Sequence, residues 1–215
     1  MSRFADGWRD AWKDRKFRSQ FLASVICLPV ALLLLFLYLN HIETRKGIVL
    51  DDPLLSIMSP IDFKWITFSL FYSGMLLGFV SLVLFPFSLL LALRAFIVML
   101  LLRVVCLFLL PLDPPVDGFP LVDPFIQIPG IRSVFTRDLF FSWHIAMMAL
   151  LSYLARWMDM KIIFSSAAVA LSVMFLLQHS HYTLDVVAAP CFAYAAFGIA
   201  KVITVDKGVG LAGRG

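Results

Sequence analysis

Long apolar runs without a single charge constrain this fold more than any other feature of the chain. Residues 21–39 contain no Asp, Glu, Lys or Arg, and neither do residues 65–93. A helix rises about 1.5 Å per residue, so about 20 apolar residues cross the hydrocarbon core of a bilayer. With 61% hydrophobic residues and a mean hydropathy of +0.93, an ordinary soluble domain is excluded. The sequence therefore predicts an all-α, polytopic membrane protein.

The apolar runs predict six transmembrane helices. The run over 65–93 is too long for one span, and the FPFS segment at 85–88 divides it. We expect spans at about 21–39, 65–84, 88–110, 139–155, 162–178 and 182–200. The proline-rich stretch 111–130 is predicted to be a loop. The chain is thus divided into an N-terminal interfacial amphipathic segment (1–20), one six-helix domain (21–203) and a C-terminal tail (204–215).

The distribution of positive charge predicts an orientation and a set of partners. Most of the 18 Lys and Arg residues fall on one side of the predicted spans, which is the side of both termini. The positive-inside rule makes that side cytoplasmic. The cations lie at the ends of apolar runs and form no continuous stripe, so they favour contact with the bilayer over nucleic acid. Oligomeric state has no signature in the sequence.

Three ionisable residues are predicted to meet at one membrane face. His144 lies near the start of the fourth span, and His181 and Asp185 lie at the start of the sixth. Two crossings separate these positions, so they share a face, which the charge distribution makes the exterior or luminal one. Ionisable side chains are costly at membrane depth unless they pair or line a hydrated cavity. Their convergence therefore indicates a functional site.

The spacing of these residues suggests phosphoryl chemistry. His181 and Asp185 are one helical turn apart, so the carboxylate can accept a hydrogen bond from one imidazole nitrogen and leave the other free to attack. A histidine oriented in this way is suited to form a phospho-histidine intermediate. His144 can donate a proton to the departing oxygen and later take one from the incoming hydroxyl. This acid/base pattern is the reason for regarding the chain as an enzyme.

Two segments carry a resemblance to a known family. DLFFSWH at 138–144 is similar to the D-x-x-x-S-G-H segment of sphingomyelin synthases and related lipid phosphatases of the type 2 phosphatidic acid phosphatase (PAP2) superfamily. HSHYTLDVV at 179–187 resembles their H-D-H-Y-T-[IV]-D-V-V segment. The resemblance is specific over about residues 94–190. Within it, RAFIVMLLLRVV resembles the family's arginine-bearing third helix.

The resemblance implies a PAP2-like six-helix bundle with cytoplasmic termini and a site facing the lumen or exterior. It implies that His181 is the nucleophile, Asp185 its orienting partner and His144 the acid/base, with no metal or other cofactor. Arg103 matches the family's deeper arginine, whose paired donors suit phosphate. The expected function is transfer of a phospho-headgroup from a phospholipid to a lipid hydroxyl of the ceramide or diacylglycerol type.

Departures from the family pattern keep other functions open. Trp143 stands where the family has glycine, and its indole either narrows the cavity or walls off the acceptor. The usual phosphatase motifs are not met, because Met174 and Phe175 occupy the Ser and Arg positions of one of them. A lipid phosphatase or phosphodiesterase, which hydrolyses the same intermediate, is the first alternative. A non-catalytic membrane scaffold with a degenerate site is the second.

Several candidate residues have simpler interpretations. Arg103 either binds phosphate or extends to the lipid headgroups, and Asp138 either caps the fourth helix or contacts substrate. We expect His179 to support the site from behind, and Tyr182 to anchor the helix at the interface or contact substrate. A metal site is the remaining chemical alternative, with ligands drawn from His144, His179, His181 and Asp185.

Overall fold

The computed structural model describes residues 2–123 and 135–204, in which eight helices and no strand are found. Their bounds are α1 (Ser2–Lys13), α2 (Arg15–Ile42), α3 (Pro53–Ser56), α4 (Lys64–Val83), α5 (Pro86–Leu109), α6 (Trp143–Leu154), α7 (Met158–Leu177) and α8 (Thr183–Thr204). This confirms the all-α class. The predicted tail beyond 204, residues 124–130 of the predicted loop, and the cations Arg132, Lys207 and Arg214 lie outside the described residues.

Five helices are long and apolar enough to cross a bilayer, namely α2, α4, α5, α7 and α8. The protein is therefore a multi-pass membrane protein. Their outer surfaces expose large apolar side chains; Ile26 of α2 is 66% exposed and Leu76 of α4 is also 66% exposed. Apolar surface of this kind is stable against lipid tails and unfavourable in water.

The fourth predicted span differs from the expectation of a helix over 139–155. Helix α6 has only 12 residues, which at about 1.5 Å each gives roughly 18 Å, less than the hydrocarbon thickness. The helix begins late because Phe140 and Phe141 have φ values of 73° and 42°, which no α-helix allows. Ser142 takes the N-cap position. The structure thus has five long helices and a sixth apolar helix that is short.

Helix α6 lies at the centre of the bundle. Nine of its 12 residues are buried, and it packs against α4, α7 and α8. Gly78 of α4 allows one of these contacts, since a Cβ atom there would lie 2.7 Å from the Cδ atoms of Leu151. Small residues at helix contacts let two backbones approach closely, which is the usual way membrane helices gain packing energy. Helix α5 packs against α2 and α8 and completes the bundle.

The N-terminal segment forms α1 and the first turn of α2. Asp14 separates them, and its carboxylate caps α2 by accepting a hydrogen bond from the Lys16 amide at 2.8 Å. Trp8 anchors α1 to the bundle by donating from its indole Nε1 to the Val83 carbonyl at 2.9 Å. The first apolar helix therefore starts at Arg15, before the predicted boundary at 21.

The opposite end of the bundle, where α2, α5 and α7 end and α4, α6 and α8 begin, is the site end. Its loops are tied together across long sequence distances. Ile48 pairs with Leu112 in an isolated bridge, and the Arg137 backbone amide donates to the Glu43 carboxylate at 2.8 Å. The Arg137 guanidinium also pairs with Asp113. These contacts fix the loops over the start of α6 and α8.

Asp52 holds the first residue of α8 from a distant loop. Its Oδ2 atom accepts from the Thr183 amide at 2.6 Å, and its Oδ1 atom accepts from the Thr183 hydroxyl at 3.0 Å. Burial raises the pKa of Asp52, but these bonds and those from the Leu54 and Leu55 amides outweigh burial, so the pKa lies below its usual value. The carboxylate therefore stabilises the start of α8 in its charged form.

Candidate active site

A cavity of about 350 Å³ opens at the site end, and we call it the first chamber. Six of the predicted site residues line it: Arg103, Asp138, Trp143, His144, His179 and His181. They come from α5, from the segment before α6, from the first turn of α6 and from the link between α7 and α8. The loop over 114–123 contributes most of the remaining wall, and Phe68 of α4 also lines the cavity. The structure thus gathers residues from four separate parts of the chain.

His181 is backed by a fully buried carboxylate. Its Nδ1 atom lies 3.3 Å from Oδ2 of Asp185, and Asp185 has no exposed surface. The same Oδ2 atom accepts from the Tyr182 backbone amide at 3.1 Å, so the carboxylate cannot turn away without losing a second bond. A charged carboxylate in this position favours the tautomer with hydrogen on Nδ1, which leaves the Nε2 lone pair available.

A backbone contact explains why His144 lies near this pair. The Ser142 amide donates to the Asp185 carbonyl at 3.2 Å, which joins the start of α6 to the first turn of α8. His144 follows two residues later, in the first turn of α6. The parity of the spans predicted a shared end of the bundle, and this bond places the two helix starts in contact there.

The two imidazoles share an aromatic neighbour. The Phe175 ring centroid lies 5.2 Å from that of His144 and 5.1 Å from that of His181. Phe71 also packs against His144, at 4.6 Å. The Nδ1 atom of His144 is buried without a hydrogen-bond partner among the described residues. Both imidazoles therefore pack against aromatic rings and line the same chamber.

Arg103 lines the chamber and also donates hydrogen bonds to other groups of the chain. It is 1% exposed, and its Nε and Nη2 atoms donate to Oδ1 of Asp138 at 3.1 and 2.6 Å. Its Nη1 atom donates to the Phe141 carbonyl at 2.6 Å. The left-handed backbone at 140 and 141 turns this carbonyl toward the guanidinium. Arg103 does not extend to lipid headgroups, and Asp138 is not the N-cap of α6, a position that Ser142 takes.

Of the three remaining predicted residues, two line the first chamber and one does not. Trp143 packs its ring against Phe96 at 5.1 Å and lines the first chamber. His179 also lines it, with a φ of 50°. Tyr182 is outside its lining: the phenol donates to the Asp113 carbonyl at 2.9 Å and accepts from the Leu50 amide at 3.2 Å. Tyr182 therefore ties α8 to the loops of the site end.

The residues considered as metal ligands are His144, His179, His181 and Asp185. Within residues 2–123 and 135–204, no group of three or more His, Cys, Asp or Glu side chains is arranged to hold a metal ion. Oδ2 of Asp185 contacts His181 and the Tyr182 amide, and its Oδ1 atom is buried without a hydrogen-bond partner among the described residues. The four residues considered for this role therefore do not form a coordination shell.

Sequence reasoning missed the aromatic base of the site and its loop wall. Phe68 and Phe71 lie in a predicted span and look like ordinary apolar residues, and Phe175 is distinguished only as a departure from the phosphatase motif. The loop wall carries a readable signal, because Gly118 in a proline-rich stretch indicates close backbone approach. A Cβ atom at this position would lie 2.2 Å from the His179 carbonyl oxygen.

No protein-family model matches this chain, and no curated protein or solved structure shows significant similarity to it.

Proposed function

We propose that this protein is a membrane phosphotransferase that moves a phospho-headgroup from a phospholipid to a lipid hydroxyl through a phospho-histidine at His181. One observation carries the proposal: His181, backed by the buried Asp185 carboxylate, and His144 line the same chamber. A nucleophile with its orienting carboxylate and a separate acid/base are the groups that a two-step displacement at phosphorus needs. The two motifs that resemble sphingomyelin synthases and PAP2 phosphatases support the same reaction.

In the first step, the Nε2 lone pair of His181 attacks the phosphorus of the donor lipid. A bond forms between Nε2 and phosphorus, and the bond from phosphorus to the diacylglycerol oxygen breaks. Protonated His144 gives its proton to that oxygen, so diacylglycerol leaves as a neutral alcohol. Asp185 offsets the positive charge that develops on the His181 ring. The headgroup phosphate stays on His181.

In the second step, the acceptor hydroxyl takes the place of the departed alcohol. Neutral His144 removes the hydroxyl proton, and the oxygen attacks phosphorus as the bond to Nε2 breaks. His181 and His144 return to their starting protonation states. The ion pair with Asp138 holds the Arg103 guanidinium at the chamber wall, where a remaining N–H group is available to donate to a phosphoryl oxygen.

Hydrolysis is the second candidate, favoured by the exposure of the chamber's loop wall. Val116, which lines the first chamber, is 83% exposed, so water reaches this end of the molecule. Water in place of the acceptor hydroxyl gives a lipid phosphatase or phosphodiesterase with the same residues. Transfer requires that a lipid hydroxyl compete with water at the phospho-histidine.

We also propose a membrane arrangement in which α6 completes a PAP2-like set of six spans, with both termini cytoplasmic and the site facing the exterior or lumen. The short α6 is compatible with this arrangement because residues 139–142, which directly precede it, are buried within the protein. Labelling of single cysteines introduced at Ile57 and at Met158, which lie at opposite ends of the bundle, tests it. Only the cysteine at 57 should react with an impermeant thiol reagent added outside.

Turnover by purified protein in vesicles tests the function. The vesicles contain phosphatidylcholine, phosphatidylethanolamine and phosphatidylglycerol, with and without ceramide or diacylglycerol, and products are identified by mass spectrometry. A new headgroup-bearing lipid indicates transfer, and a free phosphorylated headgroup indicates hydrolysis. His181→Ala should abolish both. His41→Ala, an exposed histidine at the end of α2, is the matched control and should retain wild-type turnover.

Turnover by His181→Ala at the wild-type rate would remove His181 as nucleophile. Failure of the folded wild-type protein to form any product in these mixtures would instead favour the scaffold.

A further inference from the structure

A second cavity of about 270 Å³ lies beside the first chamber, and we call it the second chamber. It is lined by residues of the loops over 49–60 and 115–117, with His179 and Tyr182. Three residues line both cavities: Pro115, Val116 and His179. His179 therefore stands on the boundary between a chamber that holds the proposed nucleophile and one that has no assigned role.

His179 carries an uncommitted polar atom at this boundary. The side chain is 6% exposed, and its Nε2 atom is buried without a hydrogen-bond partner among the described residues. A buried polar atom left unpaired costs about 1 to 3 kcal/mol. Tyr182 and Asp52, which also line the second chamber, both bind backbone groups, whereas Ser59 and Asp117 are exposed. A ligand in the chamber thus has His179 as its main buried partner.

The backbone at His179 is held in a costly conformation. Its φ of 50° is left-handed, which costs a non-glycine residue on the order of 1 kcal/mol or more. Neighbouring bonds maintain it: the Phe119 amide donates to the Gln178 carbonyl at 3.0 Å, and the Ser180 amide donates to the Phe175 carbonyl at 3.2 Å. The Ser180 bond, together with the bond from the His179 amide to the Leu176 carbonyl at 3.0 Å, forms the Schellman motif that ends α7, and this motif fixes the backbone from which the His179 side chain leaves the helix.

The charges of the two chambers differ, and this difference selects their ligands. Arg103 lines the first chamber with two carboxylates, Asp123 and Asp138, and it is ion-paired with Asp138; its guanidinium still gives this chamber a donor group that suits phosphate. Among the described residues that line the second chamber there is no Lys or Arg, whereas Asp52 and Asp117 are present. Two carboxylates without a guanidinium therefore disfavour an anionic phosphate in the second chamber. A hydroxyl is favoured, because it can both donate and accept and so satisfies Nε2 of His179 in either tautomer.

We infer that the second chamber binds the hydroxyl-bearing polar end of the acceptor, with His179 Nε2 as its hydrogen-bond partner. This inference rests on the proposed transfer through His181. His179 is a positioning residue: it presents the acceptor oxygen at the boundary, from which the oxygen reaches phosphorus on His181 while His144 takes its proton. The bound group belongs either to an acceptor lipid or to a free polyol, since both offer the same hydroxyl chemistry.

Acceptor kinetics of the full-length protein in phosphatidylglycerol and phosphatidylethanolamine vesicles test this inference. One arm supplies diacylglycerol in the vesicles, and the other supplies free glycerol in the buffer. His179→Gly removes the imidazole and tolerates the positive φ, and it should raise the KM for the acceptor about tenfold, the effect of one lost hydrogen bond. The KM for the donor should change less. His179→Asn, which keeps a polar amide and accepts the left-handed backbone, should recover part of the loss.

A second variant acts on the chamber without touching His179. Ser59→Trp places an indole in the second chamber and should also raise the KM for the acceptor. Ile57→Trp is the matched control, because Ile57 lies on the same loop, is 78% exposed and does not line the chamber. It should behave as wild type. The arm in which KM rises identifies the source of the hydroxyl.

The results separate this inference from the proposed function. If wild type transfers the headgroup but the acceptor KM stays within about twofold for both His179→Gly and Ser59→Trp in both arms, the second chamber is not the acceptor site. An equal rise in donor and acceptor KM would also overturn the inference, because it would assign His179 to the donor. Absence of product with wild type would reject the transfer reaction itself.

Discussion

Replacing Asp185 by asparagine tests whether the carboxylate behind His181 acts through its charge. The two side chains have the same shape. The Tyr182 amide donates to the oxygen that faces His181, so the Asp185→Asn variant should keep its oxygen there and turn its NH₂ group to the other position. The hydrogen bond from Nδ1 of His181, and hence the tautomer, should survive. Only the negative charge is lost.

The size of the effect follows from the separation of the two groups. Unit charges 3.3 Å apart interact by about 5 kcal/mol at an effective dielectric constant of about 20. A transition state with half of a charge on the imidazole therefore loses about 2.5 kcal/mol, which is roughly a 70-fold decrease in rate. The free energy of unfolding should also fall by about 1 to 3 kcal/mol, because the new NH₂ group meets a buried position where Oδ1 had no partner among the described residues.

The assay is the rate of headgroup release or transfer in vesicles at saturating donor, with unfolding measured on the same preparations in detergent. Asp159→Asn, at an exposed aspartate in the first turn of α7, is the control for loss of one negative charge. It should keep its activity and stability. A folded Asp185→Asn protein with activity within about threefold of wild type would refute the electrostatic role of the carboxylate.

Two further predictions concern the scaffold of the site. Because the folded pKa of Asp52 lies below its ordinary value of 3.8, the carboxylate stabilises the fold above that value and loses this effect as the pH falls through its folded pKa. Asp52→Asn should therefore lower the free energy of unfolding by about 1 to 2 kcal/mol at pH 7, with a smaller difference from wild type in denaturation at about pH 3. Gly78→Val should destabilise the bundle by about 1 to 3 kcal/mol by overpacking against Leu151, whereas Gly198→Val, where a Cβ meets nothing within 4 Å, should cost less than about 1 kcal/mol in the same assay.

The helices could be predicted from sequence because charge-free runs of about 20 residues have few other stable states. The exception is α6, whose start is set by the left-handed Phe140 and Phe141. The hydrogen bond from Arg103 to the Phe141 carbonyl stabilises their conformation. No local sequence pattern predicts this left-handed backbone. Local rules failed here because a tertiary contact determines the backbone.

The sequence predicts the contacts of the site that are local in the chain, and it does not predict those between distant residues. His181 and Asp185 are one turn apart, so their contact follows from helix geometry. The pairing of Arg103 with Asp138 joins residues 35 positions apart, and the contact of Asp52 with Thr183 spans 131 positions. Such pairs depend on how helices and loops pack, which periodicity and propensity do not determine.

The most direct measurement of the central claim is the position of the covalent intermediate. Wild-type protein is mixed with a phospholipid labelled in its headgroup phosphate, quenched in alkali within one turnover, digested and mapped by mass spectrometry, since phospho-histidine is stable to alkali. We expect the labelled phosphoryl headgroup on His181, and no such adduct in His181→Ala. An adduct on another residue, or turnover without an adduct under conditions that preserve phospho-histidine, would contradict it.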